Sequence, residues 1–293
     1  MKIYENKKGV TVMKKRVTAN LSNITLLLLV VFSLVAWGSP SSAAQSSAEP
    51  IELIVFAAAS MTDTLEEISE LYAKVAPNVK LTFNFDSSGT LKTQIEHGAE
   101  SDIFISAAQR QMDQLDITAP ASVNTDNLDF VMESTRFDLL ENRVVLVVPS
   151  GNPKNVSSFD YMALTLPTGR ILLGMGNLDV PVGQYTMRIL EYFGLDEEAL
   201  AASGSINYGS NVREVTTHVS EASVDCGVVY ATDAFSTGLE VVDSATEEMC
   251  GRVIYPAAVL KGSRNPEAAR AFLDYLITDE AMAVFENVGF SKP

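Results

Sequence analysis

Histidine and cysteine are scarce in this chain, two of each among 293 residues. His97 precedes Gly98 at the end of an apolar-periodic segment, and His218 lies between Thr217 and Val219. Both read as ordinary helix residues, and no His/Cys grouping has metal-ligand spacing. No G-x-S-x-G turn, P-loop or H-E-x-x-H is present either, so the sequence predicts no enzyme and no resident cofactor. Bases are few, 21 Lys and Arg against 37 Asp and Glu. A surface of that sign repels nucleic acid and anionic membranes.

Long apolar runs are also missing, with one exception. Ile24 to Ala36 is uncharged and mainly aliphatic, but shorter than the roughly 20 residues a bilayer span needs. Met13-Lys14-Lys15-Arg16 precedes it, and Ser42-Ala43-Ala44 offers small residues for cleavage. This is the pattern of a cleavable secretory signal over residues 1–44, with the first twelve as an extension. No cysteine stands near the cleavage region, so lipid attachment there is not expected. Gln45 to Pro50 follows as a short polar leader. Removal of residues 1–44 takes away six bases and one acid, leaving 15 bases, 36 acids and a net charge of −21. Any anion bound by such a chain must be held by local donors, because the global field opposes it. Cys226 and Cys250 are an even pair in an exported chain, and a disulfide between them is expected over two free thiols.

What the sequence does have is a recurring strand, polar turn and helix. In LTFNFDSSGTLKTQIEHGAESDIFISA, Leu81, Phe83 and Phe85 alternate with polar residues as in a half-buried strand. Asp86-Ser87-Ser88-Gly89-Thr90 follows. Leu91 and Ile95 then fall four apart, Gly98 is a stop signal, and Asp102 to Ser106 reads as a second strand. Such a turn gathers hydroxyls and unpaired N–H groups at the positive end of a helix, where an anion is the natural guest. The plain alternative is that Ser87 and Ser88 only cap the helix.

Recurrence argues against capping alone. Ile51 to Ala58 is an apolar strand leading to Ser60 and a helix carrying Leu65, Ile68, Leu71 and Tyr72, with Pro77 as breaker. Gln109 to Leu115 suggests a short helix and Pro120 to Asp126 a loop. Val144 to Val148 is a strand closed by the breaker cluster Pro149 to Pro153, and a crossing between two domains is placed near it. Arg170 to Met175 leads through a turn containing Val182 to a helix with Met187, Leu190 and Phe193. Gly174-Met175-Gly176 lacks the third glycine of a dinucleotide fingerprint. Ile206 to Tyr208 leads to Val212 and a helix with Val215 and Val219, and Gly227 to Tyr230 ends in another polar turn. Val253 to Leu260 is apolar but carries Pro256, which predicts a strand at an edge or a crossing. Two amphipathic helices, Ala268 to Tyr275 and Glu280 to Phe285, close the chain. Alternation of this kind predicts an α/β fold with mainly parallel sheets. Ligands then sit outside the strand carboxyl ends, where Ser60, Ser88, Val182, Val212 and Tyr230 all lie.

Several segments together resemble the periplasmic molybdate-binding proteins of ABC transporters: FAAASMT at Phe56 to Thr62, SSGTL at Ser87 to Leu91, GAESDIFIS at Gly98 to Ser106, VPVG at Val180 to Gly183, NVR at Asn211 to Arg213 and VYATDA at Val229 to Ala234. The resemblance covers nearly the whole mature chain, in order. It implies a two-domain, type II periplasmic binding protein fold, each domain a mainly parallel sheet flanked by helices, with the ligand in the cleft between them. The expected division is 51–143 and 253–293 for the first domain and 144–252 for the second.

The resemblance also implies a cage of neutral donors for molybdate or tungstate. These would be the hydroxyls and N–H groups of Ser60 and Ser88, the N–H groups of Val182 and Val212, and the Tyr230 hydroxyl. They would meet the metal only through its oxygens. A monomeric periplasmic protein that delivers its ligand to a membrane permease is implied as well. Val182 stands where a small residue such as Ala is common, and Asp86 where Ala or Gly is common; a carboxylate there would repel a dianion unless turned away or paired. The same fold could serve sulfate, phosphate or a small organic acid, or an exported sensor in place of a transporter subunit.

Overall fold

A computed structural model describes residues 49–293. The export signal expected over 1–44, and most of the leader, lie outside the described residues. Strand β1 (Ile51–Ala58) is buried along its carboxyl half, as an unbroken apolar run requires. A 3-10 turn, Ala59–Met61, joins it to α1 (Thr62–Val75), which stops ahead of Pro77. Then come β2 (Val79–Asp86), α2 (Ser88–Glu96), β3 (Ile103–Ile105), α3 (Gln109–Asp113) and β4 (Phe137–Asn142). The next stretch runs β5 (Val144–Val148), α4 (Phe159–Thr165), β6 (Leu173–Gly176), α5 (Pro181–Tyr192) and α6 (Glu197–Ala202). It continues through β7 (Ile206–Gly209), α7 (Val212–Ser220), β8 (Cys226–Tyr230), α8 (Ala231–Thr237), β9 (Glu240–Ser244) and α9 (Glu247–Cys250). Finally β10 (Val253–Val259) precedes α10 (Pro266–Leu276) and α11 (Asp279–Asn287).

These strands form two five-stranded sheets, ordered β2-β1-β3-β10-β4 and β7-β6-β8-β5-β9. The result is a two-domain α/β fold of the periplasmic binding protein kind. In each sheet one strand runs against the other four: β10 in the first and β5 in the second. Each is the strand that has just crossed from the other sheet. Arg143 alone separates β4 from β5, and Gly251-Arg252 separates α9 from β10.

The expected disulfide needs correction, whereas Pro256 does lie on a crossing strand, one of the two places expected for it, and β10 is interior, hydrogen-bonded to both β3 and β4. Its pairing with β4 steps from Tyr255–Leu140 to Pro256–Asp138, and that bulge absorbs the missing N–H. Cys226 and Cys250 are free thiols. Cys226 is a core residue of β8 paired in register with Leu173, whereas Cys250 ends α9 and its thiol faces the carbonyls of Thr246 and Gly251. Burial pushes the two thiols up to about 12 and about 11.

Helix packing follows the predicted faces. Leu65, Ile68 and Tyr72 are the buried stripe of α1, and the Tyr72 ring meets those of Phe272 and Tyr275 at 5.0 Å from α10. The five carboxyl-end turns that carry the predicted site converge where the two sheets face one another.

Candidate anion site between the two lobes

The five residues singled out by sequence, Ser60, Ser88, Val182, Val212 and Tyr230, line one cavity together with Ala58, Ala59, Asp86, Ser87, Ala107, Val180 and Pro181. The cavity holds about 10 Å³, room for about one water molecule in this closed arrangement. Among the described residues no cationic side chain lines it, and its single charged group is Asp86.

The first lobe contributes hydroxyls. Ser87 and Ser88, adjacent in sequence, have separate roles. Ser87 is the cap of α2, its Oγ accepting from the Thr90 N–H at 3.1 Å. Ser88 is the first residue of that helix, fully buried, and its Oγ accepts from the Ala107 N–H at 2.9 Å. The hydroxyl proton of Ser88 is therefore not used in capping. Ser60 sits in the 3-10 turn after β1, its Oγ 2.9 Å from the Tyr255 hydroxyl. Asp86 accepts from the Ser87 N–H at 2.7 Å, which holds its carboxylate on the cavity wall against a backbone dipole.

The second lobe contributes helix N-termini. Val182 is in the first turn of α5, whose cap position, Val180, provides no side-chain acceptor; Pro181 at the first position has no N–H to satisfy. Val212 opens α7, where the Asn211 side chain accepts from Glu214 and leaves the Val212 N–H free of it. First-turn N–H groups have no intrahelical acceptor. Both valines are buried. The close approach of β6 to α5 depends on Gly183, since a Cβ there would sit 2.1 Å from the Asn177 carbonyl oxygen.

Tyr230, at the junction of β8 and α8, is the informative residue. Its hydroxyl is buried on the cavity wall and, among the described residues, makes no hydrogen bond of acceptable geometry, the nearest hydroxyl facing it being that of Tyr255. Burial pushes its phenol well above the usual tyrosine range, so it stays protonated and offers a donor. An unpaired buried hydroxyl costs about 1–3 kcal/mol, a cost that a guest anion would remove.

Direct contacts close the lobes over this site. Arg213 of α7 donates through Nε to the Ala59 carbonyl at 3.0 Å and through Nη2 to Asp63 at 2.7 Å. Its charge is thus spent across the cleft rather than on the cavity. On the opposite flank Gly89 approaches Asp179 so closely that a Cβ would lie 2.1 Å from the Asp179 carbonyl oxygen.

Two residues behind the site left no trace in the sequence, and a third buried group lies nearby. Tyr255 and Asn142 stand behind Ser60, the first hidden inside an apolar run and the second at a strand end. Asp233, on the first turn of α8, is buried with Oδ2 unpartnered. Burial pushes its carboxyl up to about 7, against the pull of Arg213. It is neutral below that value, and its contribution to stability is lost as pH rises through it.

Comparison with known proteins agrees with this architecture. The chain is 34% identical over 270 residues, covering 92% of it and 97% of the relative, to the putative ABC transporter substrate-binding lipoprotein YvgL of Bacillus subtilis. It is 32% identical to the molybdate-binding protein ModA of Haemophilus influenzae, covering 84% and 92% of the two chains. Among solved structures, the substrate-binding domain of a putative molybdenum ABC transporter from Clostridium difficile superposes with a TM-score of 0.59 at 31% identity, covering 83% of this chain and 99% of that one. Residues 53–291 match the family described as bacterial extracellular solute-binding protein, and the chain belongs to that family.

Proposed function

We propose that this protein captures molybdate or tungstate as the intact tetrahedral dianion and presents it, as a monomer in its closed form, to the membrane permease of an ABC transporter. The observation that carries the reading is the Tyr230 hydroxyl, buried, protonated and unpartnered on a cavity otherwise lined by serine hydroxyls and free helix-start N–H groups. Such a cage has donors and no cation. A dianion gains charge-assisted hydrogen bonds there, and the empty site leaves no buried positive charge unpaired. The similarity to proteins named for molybdate supports the choice among oxyanions. Capture and release by lobe closure require no chemistry on the anion.

The test is a calorimetric titration of the mature chain, dialysed free of ligand, with molybdate, tungstate, sulfate and phosphate in turn. Tight one-to-one binding of the first two and no heat from sulfate is expected. Preferential binding of sulfate or phosphate would keep the solute-binding role and replace the cargo.

A further inference from the structure

We infer that Asn142 and Tyr255 are positioning residues that fix the direction of the Ser60 hydroxyl, so that Ser60 can only donate to the bound anion. This rests on the reading of Ser60 as an anion donor and concerns what makes it one.

Each proton along a buried chain of groups behind Ser60 has one place to go. The Asn142 Oδ1 accepts from the Arg143 N–H at 2.8 Å, and that donor fixes which end of the amide is oxygen. Its Nδ2 therefore faces the Thr232 hydroxyl at 3.0 Å and the Tyr255 hydroxyl at 3.2 Å. An amide nitrogen only donates, so Tyr255 accepts from Asn142. Tyr255 has a single proton of its own; the Tyr230 hydroxyl also faces it but makes no hydrogen bond of acceptable geometry, and the acceptor within reach is Ser60 Oγ, at 2.9 Å. Ser60 is thereby an acceptor toward the protein, and its own proton is left for the cavity. The opposite orientation would strand the Tyr255 proton in a fully buried position. Burial also holds the Tyr255 phenol well above its ordinary range, so the proton is permanent.

Ser88 obeys the same rule by a shorter route, accepting from the Ala107 backbone N–H. Each serine accepts one hydrogen bond from the protein, and each has one proton to give. The Ser60 route is distinctive because of where it runs. Asn142 ends β4 at one crossing between the lobes, Tyr255 lies in β10 just after the other, and Thr232 belongs to the second lobe. The two crossing strands thus set the polarity of a donor in the cleft.

A double-mutant cycle on the full mature chain tests this, read by calorimetry with whichever of molybdate, tungstate, sulfate or phosphate binds the unmodified protein most tightly. Tyr255→Phe removes the donor to Ser60 and is expected to weaken binding about 10-fold. In a Ser60→Ala background the same substitution should change affinity by less than about 2-fold, because its target is gone. Asn142→Asp turns the donor into an acceptor that draws the Tyr255 proton away from Ser60. It should cost more than Tyr255→Phe in the parent and lose most of that excess in the Ser60→Ala background. Anion-free melting curves identify any variant that fails to fold, and the cycle then rests on the other. Equal losses in both backgrounds would mean a merely structural role and overturn the inference, as would a parent-level affinity for Tyr255→Phe. If the parent binds sulfate or phosphate in preference to molybdate and tungstate, the cargo is wrong and the relay is still judged by its cycle. Silence toward all four overturns the site and the relay together.

Discussion

The two lobes build their halves of the cavity from different materials. The first offers serine hydroxyls, which rotate and can donate or accept. The second offers backbone N–H groups at the starts of α5 and α7, which have one direction and one role. Each cavity serine of the first lobe accordingly has a protein donor that orients it, Ala107 for Ser88 and Tyr255 for Ser60. The valines of the second lobe need none, and their side chains are free to be core. If only the backbone N–H serves the site, a Val at position 182 should cost it nothing, whereas a larger residue in place of either serine should. Tyr230 is the exception in the second lobe, a rotatable hydroxyl that makes no hydrogen bond among the described residues.

The largest effect should come from parting the halves. Gly89→Ala places a Cβ against the Asp179 carbonyl while improving the helix propensity of α2. Its anion affinity should fall by ~100-fold or more, since closure completes the shell, with the melting temperature of the anion-free protein unchanged or higher. Near-parental affinity in a fluorescence or calorimetric titration would show that the closed contact is dispensable.

Next is removal of a single fixed donor. Val212→Pro deletes the N–H at the first position of α7, where proline suits the helix and the preceding Asn211 is already extended. Binding should weaken by about 1.5–3 kcal/mol, the worth of a hydrogen bond to a charged group, while circular dichroism shows the fold intact. A smaller effect separates the adjacent serines. Ser87→Ala should cost about 1 kcal/mol of stability with affinity retained, and Ser88→Ala the reverse; similar profiles for the two would dissolve the division between cap and cage. The smallest is Asp86→Asn, which removes the one carboxylate on the wall and should tighten binding by a few-fold, by calorimetry in low salt.

Much of this was legible in the sequence because a strand, polar turn and helix leave a periodic trace. β1, β2, α2, α5, α7 and β8 each begin or end within a few residues of their apolar patterns. β4 and β9 were not visible: FDLLEN and EVVDS mix acids into short strands, and β9 is largely exposed. α4 and α6 are too short, at 7 and 6 residues, to show a helical period. The cysteine pair was misread for a different reason, since composition reports the compartment but not where two side chains point. Asn142 and Tyr255 left no signal at all. Their role exists only once two crossing strands bring residues 113 positions apart into hydrogen-bond distance.

On this reading the Tyr230 hydroxyl is held for the anion and not for the protein. The most direct measurement compares Tyr230→Phe with the parent twice, by melting without anion and by calorimetry with molybdate. A melting temperature equal to or above the parent's, together with an affinity lower by about 1–3 kcal/mol, is the predicted result. Unchanged affinity, or a loss of stability without anion, would contradict it.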